Sequence, residues 1–243
     1  MPEFHKSGTR PQKRSFLKAF KAWRGMVRAT KSGDTKARLD YVFKLLGWLE
    51  GDHYYRTWKR IKKTGVDLSL TEKLSKASAM PSGSLGRAYY DHVTDGYPDR
   101  FSILSKQGSR DRDEFGLFLD RTIDIHDLIH VVMGYDKGRM GEACVIRASA
   151  AAGMPRAWNF LLFLGMLRQI YIHGIREGLW IIRACVLEPQ KRAKRVGNWN
   201  DIRWEEMLEL PLEQVKTQLG ISPAPIYDSV IRYANNKDKE WIN

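Results

Sequence analysis

Residues 125–132 read IHDLIHVV, and this segment decides how the chain of 243 residues folds. It lies inside a longer stretch, residues 111–133, whose apolar side chains recur at the period of an α-helix. Apolar residues occupy nearly every side of the helix around the segment, so we predict that this helix is buried. A buried helix must be covered on all sides, and the rest of the chain has to supply the covering elements.

The other periodic segments of the chain also favour helices. Their apolar spacing predicts helices over residues 16–27, 35–51, 142–152 and 157–187. The last of these is apolar over a wide surface and should end at Pro189. Ser84 and Pro211 are suited to begin two further helices. Alternating β-branched runs are almost absent, so the predicted fold class is all-α: a single helical domain with a basic amphipathic N-terminal helical arm.

Positive charge is concentrated at the N-terminus. The chain has 41 Lys/Arg and 28 Asp/Glu, a net charge of +13, and residues 1–63 hold 17 of the basic and 5 of the acidic residues. We therefore divide the chain into a basic helical arm, residues 1–63, which should pack on the main domain, and a nearly neutral helical domain, residues 64–243. The arm suits an anionic membrane surface, nucleic acid or an acidic partner, and equally a solvated helical extension.

Cysteine content and hydropathy give expectations about the redox compartment of the protein and about membrane-spanning or secretory segments. Cys144 and Cys185 are the only cysteines, which gives no disulfide framework and indicates a reducing compartment. The longest uncharged apolar run, residues 157–167, is far shorter than the roughly 20 residues that cross a bilayer. We therefore expect neither a transmembrane helix nor a secretory signal.

His126 and His130 are the main candidates for chemistry. Residues four apart lie on one face of a helix, so both imidazoles can approach a single ion. Asp127 lies three residues before His130, close to the same face. Buried imidazoles beside a carboxylate need polar partners, and metal coordination supplies them. The alternative is a pair of polar residues on a helix surface, which the apolar surroundings disfavour.

The segment differs from the motifs of two hydrolase classes. In HExxH metalloproteases a Glu between the histidines acts as general base, whereas Asp127 is shorter and better suited to ligating an ion or orienting a histidine. An HD-type phosphohydrolase would need a further upstream His and downstream Asp, which nothing in the sequence marks. Glu142 follows the glycine-containing loop 134–141, and a helical hairpin would return it to the histidines. The sequence thus predicts a divalent metal site made of His126, Asp127, His130 and Glu142.

The complete motif reads HDxxH, eleven residues, then Glu, and with it the chain resembles the Coq-four family of coenzyme Q (ubiquinone) biosynthesis proteins. The resemblance covers about residues 70–221. It includes GSLGRAY at residues 83–89 and WEEMLELPLEQVKTQLGI at residues 204–221. It implies a helical, metal-binding protein that is associated with a membrane face and needed to make the quinone head group. The arm, residues 1–63, has no counterpart in it.

The resemblance implies an enzyme, a decarboxylase (lyase) acting on 4-hydroxy-3-methoxy-5-polyprenylbenzoate or a close relative. The reaction is oxidative decarboxylation at C1 of the ring, at the membrane surface. One divalent ion is implied, Zn(II) in first place, with Fe(II) or another transition metal as alternatives. The four motif residues would hold it, and Arg87 and Arg147 are candidates for offsetting the negative charge of the substrate. The alternative function is a non-catalytic scaffold or lipid-binding subunit of a quinone-biosynthesis complex.

The resemblance also implies partners and a location. The partners are a polyprenylated aromatic substrate and other quinone-biosynthesis proteins, with a homo-oligomer left open. The charge of the arm adds an anionic membrane surface as a partner. A nucleic-acid partner is disfavoured, because the arm contains no recognised reading motif and the metal site would go unexplained. We expect a peripheral position on the cytoplasmic, inner face of a bacterial membrane, or alternatively on the matrix face of the mitochondrial inner membrane.

Overall fold

The computed structural model describes residues 15–33, 53–95, 114–154 and 158–235, together with positions 37, 41, 44, 45, 48 and 49. Over these residues the protein is helical and has no β-strand. The predicted all-α class, with a single helical domain, is confirmed.

The helices of the described chain are short to medium in length and follow one another closely. The α-helices are α1 (Phe16–Ser32), α2 (His53–Thr64), α3 (Leu70–Leu74), α4 (Leu85–Thr94), α5 (Glu114–Met133), α6 (Arg139–Ala151), α7 (Trp158–Ile182), α8 (Glu188–Ala193), α9 (Leu212–Gln218) and α10 (Pro225–Asn235). A π-helix, Arg183–Leu187, joins α7 to α8, and 3₁₀ turns cover Ala77–Ala79, Trp199–Asp201 and Trp204–Glu206. None of the helices in the described parts of the chain is long and apolar enough to cross a membrane.

Helix α5 lies at the centre of the main core. Its residues Ile125, Leu128, Ile129 and Val132 are fully buried. Helices α2, α3, α4, α6 and α9 all contact it. The burial predicted from its apolar sequence is therefore confirmed.

A buried ion pair ties α5 to the segment that follows α8. Arg121 of α5 pairs with Glu205, and both side chains are almost completely buried. The guanidinium of Arg121 also donates to the carbonyl of Ile202 at 2.7 Å. Beside this pair, the rings of Trp199 and Trp204 stack with their centroids 6.1 Å apart. The pair therefore fixes α5 against the tryptophan-containing turns of the core.

The predicted arm, residues 1–63, is described in part. Helix α1 packs against residues around Leu45, and the amide of Ser15 donates to the carbonyl of Trp48 at 3.0 Å. Helix α2 contacts α5, and its Arg60 pairs with Asp201 at 2.6 Å. Residues 1–14 and most of the predicted helix over 35–51 lie outside the described residues, and the boundary at residue 63 stays a prediction.

Helix α7 differs from the single long helix that the sequence predicts. Gly174 interrupts it with φ 77° and ψ 173°, a conformation open essentially to glycine alone. A continuous helix would separate the α-carbons of residues 170 and 178 by about 12 Å. Instead, a β-carbon at Gly178 would lie 3.0 Å from the α-carbon of Ile170. The chain therefore turns back at Gly174, and residues 158–182 form a helical hairpin, called here the α7 hairpin.

Two further boundaries differ from prediction, and one is confirmed. Helix α6 begins at Arg139, a turn before the expected start. Gly141 does not break the helix, and its missing side chain allows the carbonyl of Asp136 to approach closely. Pro189 does not end a helix; it lies in the first turn of α8, where its missing N–H costs nothing. Ser84 caps α4 as predicted, its hydroxyl accepting from the amide of Arg87 at 3.2 Å.

The Arg121–Glu205 pair yields a stability prediction. Glu205→Leu should lower the free energy of unfolding by about 3–5 kcal/mol, because the charge of Arg121 is then buried alone. The double variant Arg121→Met/Glu205→Leu removes both charges and should recover most of this loss. Urea unfolding followed by circular dichroism measures both effects.

The matched control is the surface pair of Lys216 and Glu213, in which Nζ of Lys216 lies 2.7 Å from Oε1 of Glu213. Glu213→Leu should change the free energy of unfolding by less than about 1 kcal/mol. A double variant as unstable as Glu205→Leu alone would contradict the role given to the buried pair.

Candidate metal centre

Helices α5 and α6 bring three of the four predicted ligands together. His126 and His130 lie one turn apart on α5, and Glu142 lies on the first turn of α6, after the loop at residues 134–138. One ligand atom from each of the three residues lies within 4.8 Å of the others. The carboxylate of Glu142 bridges the histidines, with Oε2 3.4 Å from Nε2 of His126 and Oε1 3.5 Å from Nε2 of His130.

Each of the two distances from a Glu142 oxygen to a histidine nitrogen is close to the separation of neighbouring ligands around one ion, with Oε2 facing His126 and Oε1 facing His130. Metal–ligand bonds of about 2.0–2.2 Å at tetrahedral angles place neighbouring donor atoms roughly 3.3–3.5 Å apart. Two imidazole nitrogens and one carboxylate oxygen are also ligands that zinc and iron accept. The residues present therefore fit a divalent transition-metal ion.

The surroundings of His130 indicate which of its nitrogens is available. Its side chain is 1% exposed, and Nδ1 lies 3.2 Å from the carbonyl oxygen of Tyr135. A neutral ring that donates its Nδ1–H to this carbonyl keeps the lone pair of Nε2 free for a ligand. Within the described residues Nε2 has no hydrogen-bond partner although it is buried. A bound ion would satisfy it.

The pKa values of Glu142 and His130 show that the surroundings of the centre favour positive charge. Burial raises the pKa of Glu142, but its contacts with His126 and His130 outweigh burial and hold that pKa well below its usual range. Burial lowers the pKa of His130, yet the contact with Glu142 and the charge of Asp127 raise it overall. A cation at this place therefore meets a carboxylate that is already ionised.

Asp127 lies beside the three-residue group and does not belong to it. Its side chain is buried, and its negative charge acts on both His130 and Asp124. Asp124 accepts hydrogen bonds from Thr71 and from the hydroxyl of Tyr89, and burial raises its pKa to about 7. The role of Asp127 as a fourth ligand stays a prediction, and its position suits an electrostatic influence on His130.

Arg87 and Arg147 have hydrogen-bond partners outside the three-residue group. Arg87 is half exposed, and it donates to Asp91 at 3.0 Å and to the carbonyl of Ser78 at 3.1 Å. The guanidinium of Arg147 donates to Asn159 at 2.6 Å and to Gln190. Binding of substrate would require either arginine to exchange these bonds, and their substrate role stays a prediction.

Two contacts of the site were missed in the sequence. The ring of His92, on α4, lies against that of His130, with centroids 5.0 Å apart and planes inclined by 30°. The carbonyl of Tyr135 orients His130. His92 stands three residues after the buried Tyr89, which places both on one side of α4, but nothing in the sequence pairs α4 with α5. Every residue has a backbone carbonyl, so the contact of Tyr135 with His130 cannot be recognised from residue types.

The metal centre yields a direct prediction. His130→Ala should abolish stoichiometric binding of a divalent ion, because it removes the buried member of the three-residue group. Asp127→Asn should keep one ion per chain with an affinity about 10–100-fold lower, as for residues that support a ligand. Elemental analysis and equilibrium dialysis measure both.

His53→Ala removes a histidine of α2 and serves as the matched control, with metal content expected to stay at one ion per chain. Equal metal content in His130→Ala and the control would refute the assignment. Loss of the ion in Asp127→Asn would make Asp127 a ligand.

Comparison with known proteins agrees with the resemblance to the Coq-four family. Mitochondrial proteins named ubiquinone biosynthesis protein COQ4 homolog are similar to this chain. The rat protein (Rattus norvegicus) is 28% identical over 158 residues, which are 64% of this chain and 57% of that protein. The human protein (Homo sapiens) is 24% identical over 185 residues, 73% of this chain and 63% of that protein. The chain thus spans less than two thirds of the length of these relatives.

A solved structure and a family model extend the comparison. The crystal structure of a Nostoc punctiforme protein assigned to ubiquinone biosynthesis matches with a TM-score of 0.58, over 85% of this chain and 98% of that one. At 16% identity this likeness concerns the fold. The family model described as coenzyme Q (ubiquinone) biosynthesis protein Coq4 matches residues 50–225, starting inside the predicted arm. On that match, over more than half of its length, the chain belongs to the Coq4 family of coenzyme Q (ubiquinone) biosynthesis proteins.

Proposed function

We propose that this protein is a metal-dependent enzyme of ubiquinone biosynthesis. It removes the C1 carboxylate of a polyprenylated hydroxybenzoate and puts a hydroxyl group in its place. The observation that supports this most directly is the group of His126, His130 and Glu142, with the donor spacing of a divalent metal site. Membership of the Coq4 family supports the pathway.

The residues of the centre divide into a buried and an accessible side. The side chain of His130 is 1% exposed, that of His126 16% and that of Glu142 46%. This gradient leaves the centre open to solvent on the side of Glu142, from which the head group of a substrate can approach. Arg87 and Arg147 remain the candidates for the negative charge of the substrate carboxylate, since arginine stays charged and binds carboxylates through two parallel hydrogen bonds.

The proposed reaction requires the site to support loss of CO2, formation of a carbon–oxygen bond and transfer of two electrons. The bond between C1 and the carboxylate breaks and CO2 leaves, and a C1–oxygen bond forms with the oxygen of water. Two electrons pass to an oxidant, which we propose is O2 and which leaves as hydrogen peroxide. An ion held by the three residues would polarise a substrate oxygen, and Fe(II) would add redox chemistry that Zn(II), with its filled d shell, lacks. Two histidines and one carboxylate leave coordination positions open for a substrate.

The proposed setting is the surface of an anionic membrane, with other quinone-biosynthesis proteins as partners. On α1 the basic residues Lys21, Arg24 and Arg28 are exposed. They stand among the exposed apolar side chains of Phe16, Leu17 and Phe20. Basic helices with bulky apolar residues bind such surfaces. The relatives' names support a mitochondrial location, for which we propose the matrix face of the inner membrane; the inner face of a bacterial membrane is the other proposed setting.

Reconstitution with metals tests the reaction. Metal-free protein is loaded with Zn(II), Fe(II), Mn(II) or Co(II) and given a polyprenyl hydroxybenzoate, and CO2 release and ring hydroxylation are measured under air and under argon. We expect turnover under air with at least one metal and none with His130→Ala. Equal rates with zinc and iron would place the redox chemistry on the substrate and O2. No turnover with any metal would contradict the enzyme and favour the scaffold.

Vesicle flotation tests the role of α1. Changing Lys21, Arg24 and Arg28 together to Glu should weaken binding to anionic vesicles by at least about tenfold, because each basic residue near such a surface contributes about 1 kcal/mol. Raising the salt to 1 M, where the Debye length is about 3 Å, should do the same to the wild type. The control changes the exposed residues Lys191, Lys194 and Arg195 to Glu. Equal losses in both triple variants would contradict a specific role of α1.

A further inference from the structure

The tip of the α7 hairpin exposes large apolar side chains. Tyr171 and Ile175, on either side of the turn at Gly174, are 91% and 72% exposed. One turn further along each segment, Leu167 and Leu179 are 49% and 56% exposed. Folding therefore leaves uncovered the four side chains at positions 167, 171, 175 and 179, which form the hairpin tip.

The geometry of the hairpin brings its two segments together behind the tip. Gly174 allows the turn, and Gly178 allows the second segment to lie against the backbone of Ile170. The two segments are thus in close contact just behind the turn. Large apolar side chains that are grouped and exposed at a protein surface indicate an interaction site.

The charge of the hairpin indicates the kind of partner. Residues 158–187 contain three arginines, Arg168, Arg176 and Arg183, and one acidic residue, Glu177. The carboxylate of Glu177 accepts a hydrogen bond from the hydroxyl of Tyr233 at 3.2 Å, so it is engaged within the protein. Two copies that met tip to tip would bring like charges together, whereas an anionic lipid surface would attract this segment. A tip of four apolar side chains also suits fluid lipid better than the broad patches, about 800 Å² per partner, of stable protein interfaces.

We propose that the hairpin tip inserts into the interfacial region of an anionic lipid bilayer, with Tyr171 and Ile175 at the boundary between head groups and acyl chains. The proposal rests on the proposed function in placing the protein at a membrane, and it adds the surface that enters the lipid. Helix α1 supplies electrostatic attraction and the tip supplies apolar burial. Stable peripheral attachment commonly needs two such signals.

The test uses the full chain and vesicles of phosphatidylcholine with or without about 30% phosphatidylglycerol, a composition chosen to give a strong anionic surface potential. The double variant Tyr171→Ser/Ile175→Ser should bind the anionic vesicles about tenfold or more weakly than the wild type. The matched control is Leu187→Ser/Ile123→Ser, which removes two apolar side chains that are 58% and 38% exposed elsewhere. It should bind as the wild type does. Unchanged metal content shows that each variant is folded.

A fluorescent probe reports insertion directly. Cys144 and Cys185 are buried, so a polarity-sensitive dye can be attached selectively to Tyr171→Cys. Its emission should shift to the blue when anionic vesicles are added. The same dye on Glu213→Cys, where the native side chain is 82% exposed on α9, should not respond.

The outcomes separate this inference from the membrane role itself. If the wild type binds vesicles while the tip variant binds equally well and the dye at residue 171 stays in water, the tip proposal is wrong and the membrane role stands. If the wild type binds neither kind of vesicle, both are wrong. If the tip variant changes the sedimentation coefficient but not vesicle binding, the occupant is a second copy, which also overturns the proposal.

Discussion

The structure depends on the burial of polar side chains along one apolar helix. Helix α5 carries Arg121, Asp124, Asp127 and His130 into the core, where each is at most 5% exposed. A buried charge or imidazole is costly unless another element supplies a partner. Glu205 pairs with Arg121, Thr71 and Tyr89 donate to Asp124, and Tyr135 and Glu142 meet His130. These requirements decide which helices lie against α5 and in which register.

The same requirement explains why the metal centre lies where it does. His130 has one nitrogen held by a backbone carbonyl and the other beside the carboxylate of Glu142, which also contacts His126. The first contact fixes the ring, and the second brings the donors to the spacing of one coordination sphere. Helix α6 must begin at Arg139 for Glu142 to fall on its first turn, and the close approach at Gly141 permits that start. The site is therefore a consequence of how α5 and α6 are joined.

The sequence was sufficient for features that depend on local spacing. The period of α5 predicted a buried helix, the separation of His126 and His130 predicted a shared face, and Ser84 was recognised as a cap. The return of Glu142 could be anticipated because the predicted loop of eight residues allows a hairpin; in the structure the loop is the five residues 134–138. Each of these inferences needs only helix geometry and the chemistry of the residues concerned.

Features that depend on tertiary contacts could not be predicted from local spacing in the sequence. Gly174 and Gly178 stand in an apolar run that favours one long helix, and the reversal becomes evident only when Gly178 is seen against Ile170. The contact of His92 with His130 depends on how α4 lies on α5. Pro189 was expected to end a helix, but it lies in the first turn of α8. This position depends on the π-helix that precedes α8.

Anomalous diffraction at the absorption edge of the bound metal, on crystals of the loaded protein, tests the central claim most directly. The account predicts one peak per chain, about 2.0–2.2 Å from Nε2 of His126, from Nε2 of His130 and from a carboxylate oxygen of Glu142. A peak elsewhere, or one bound through Nδ1 of His130, would contradict it.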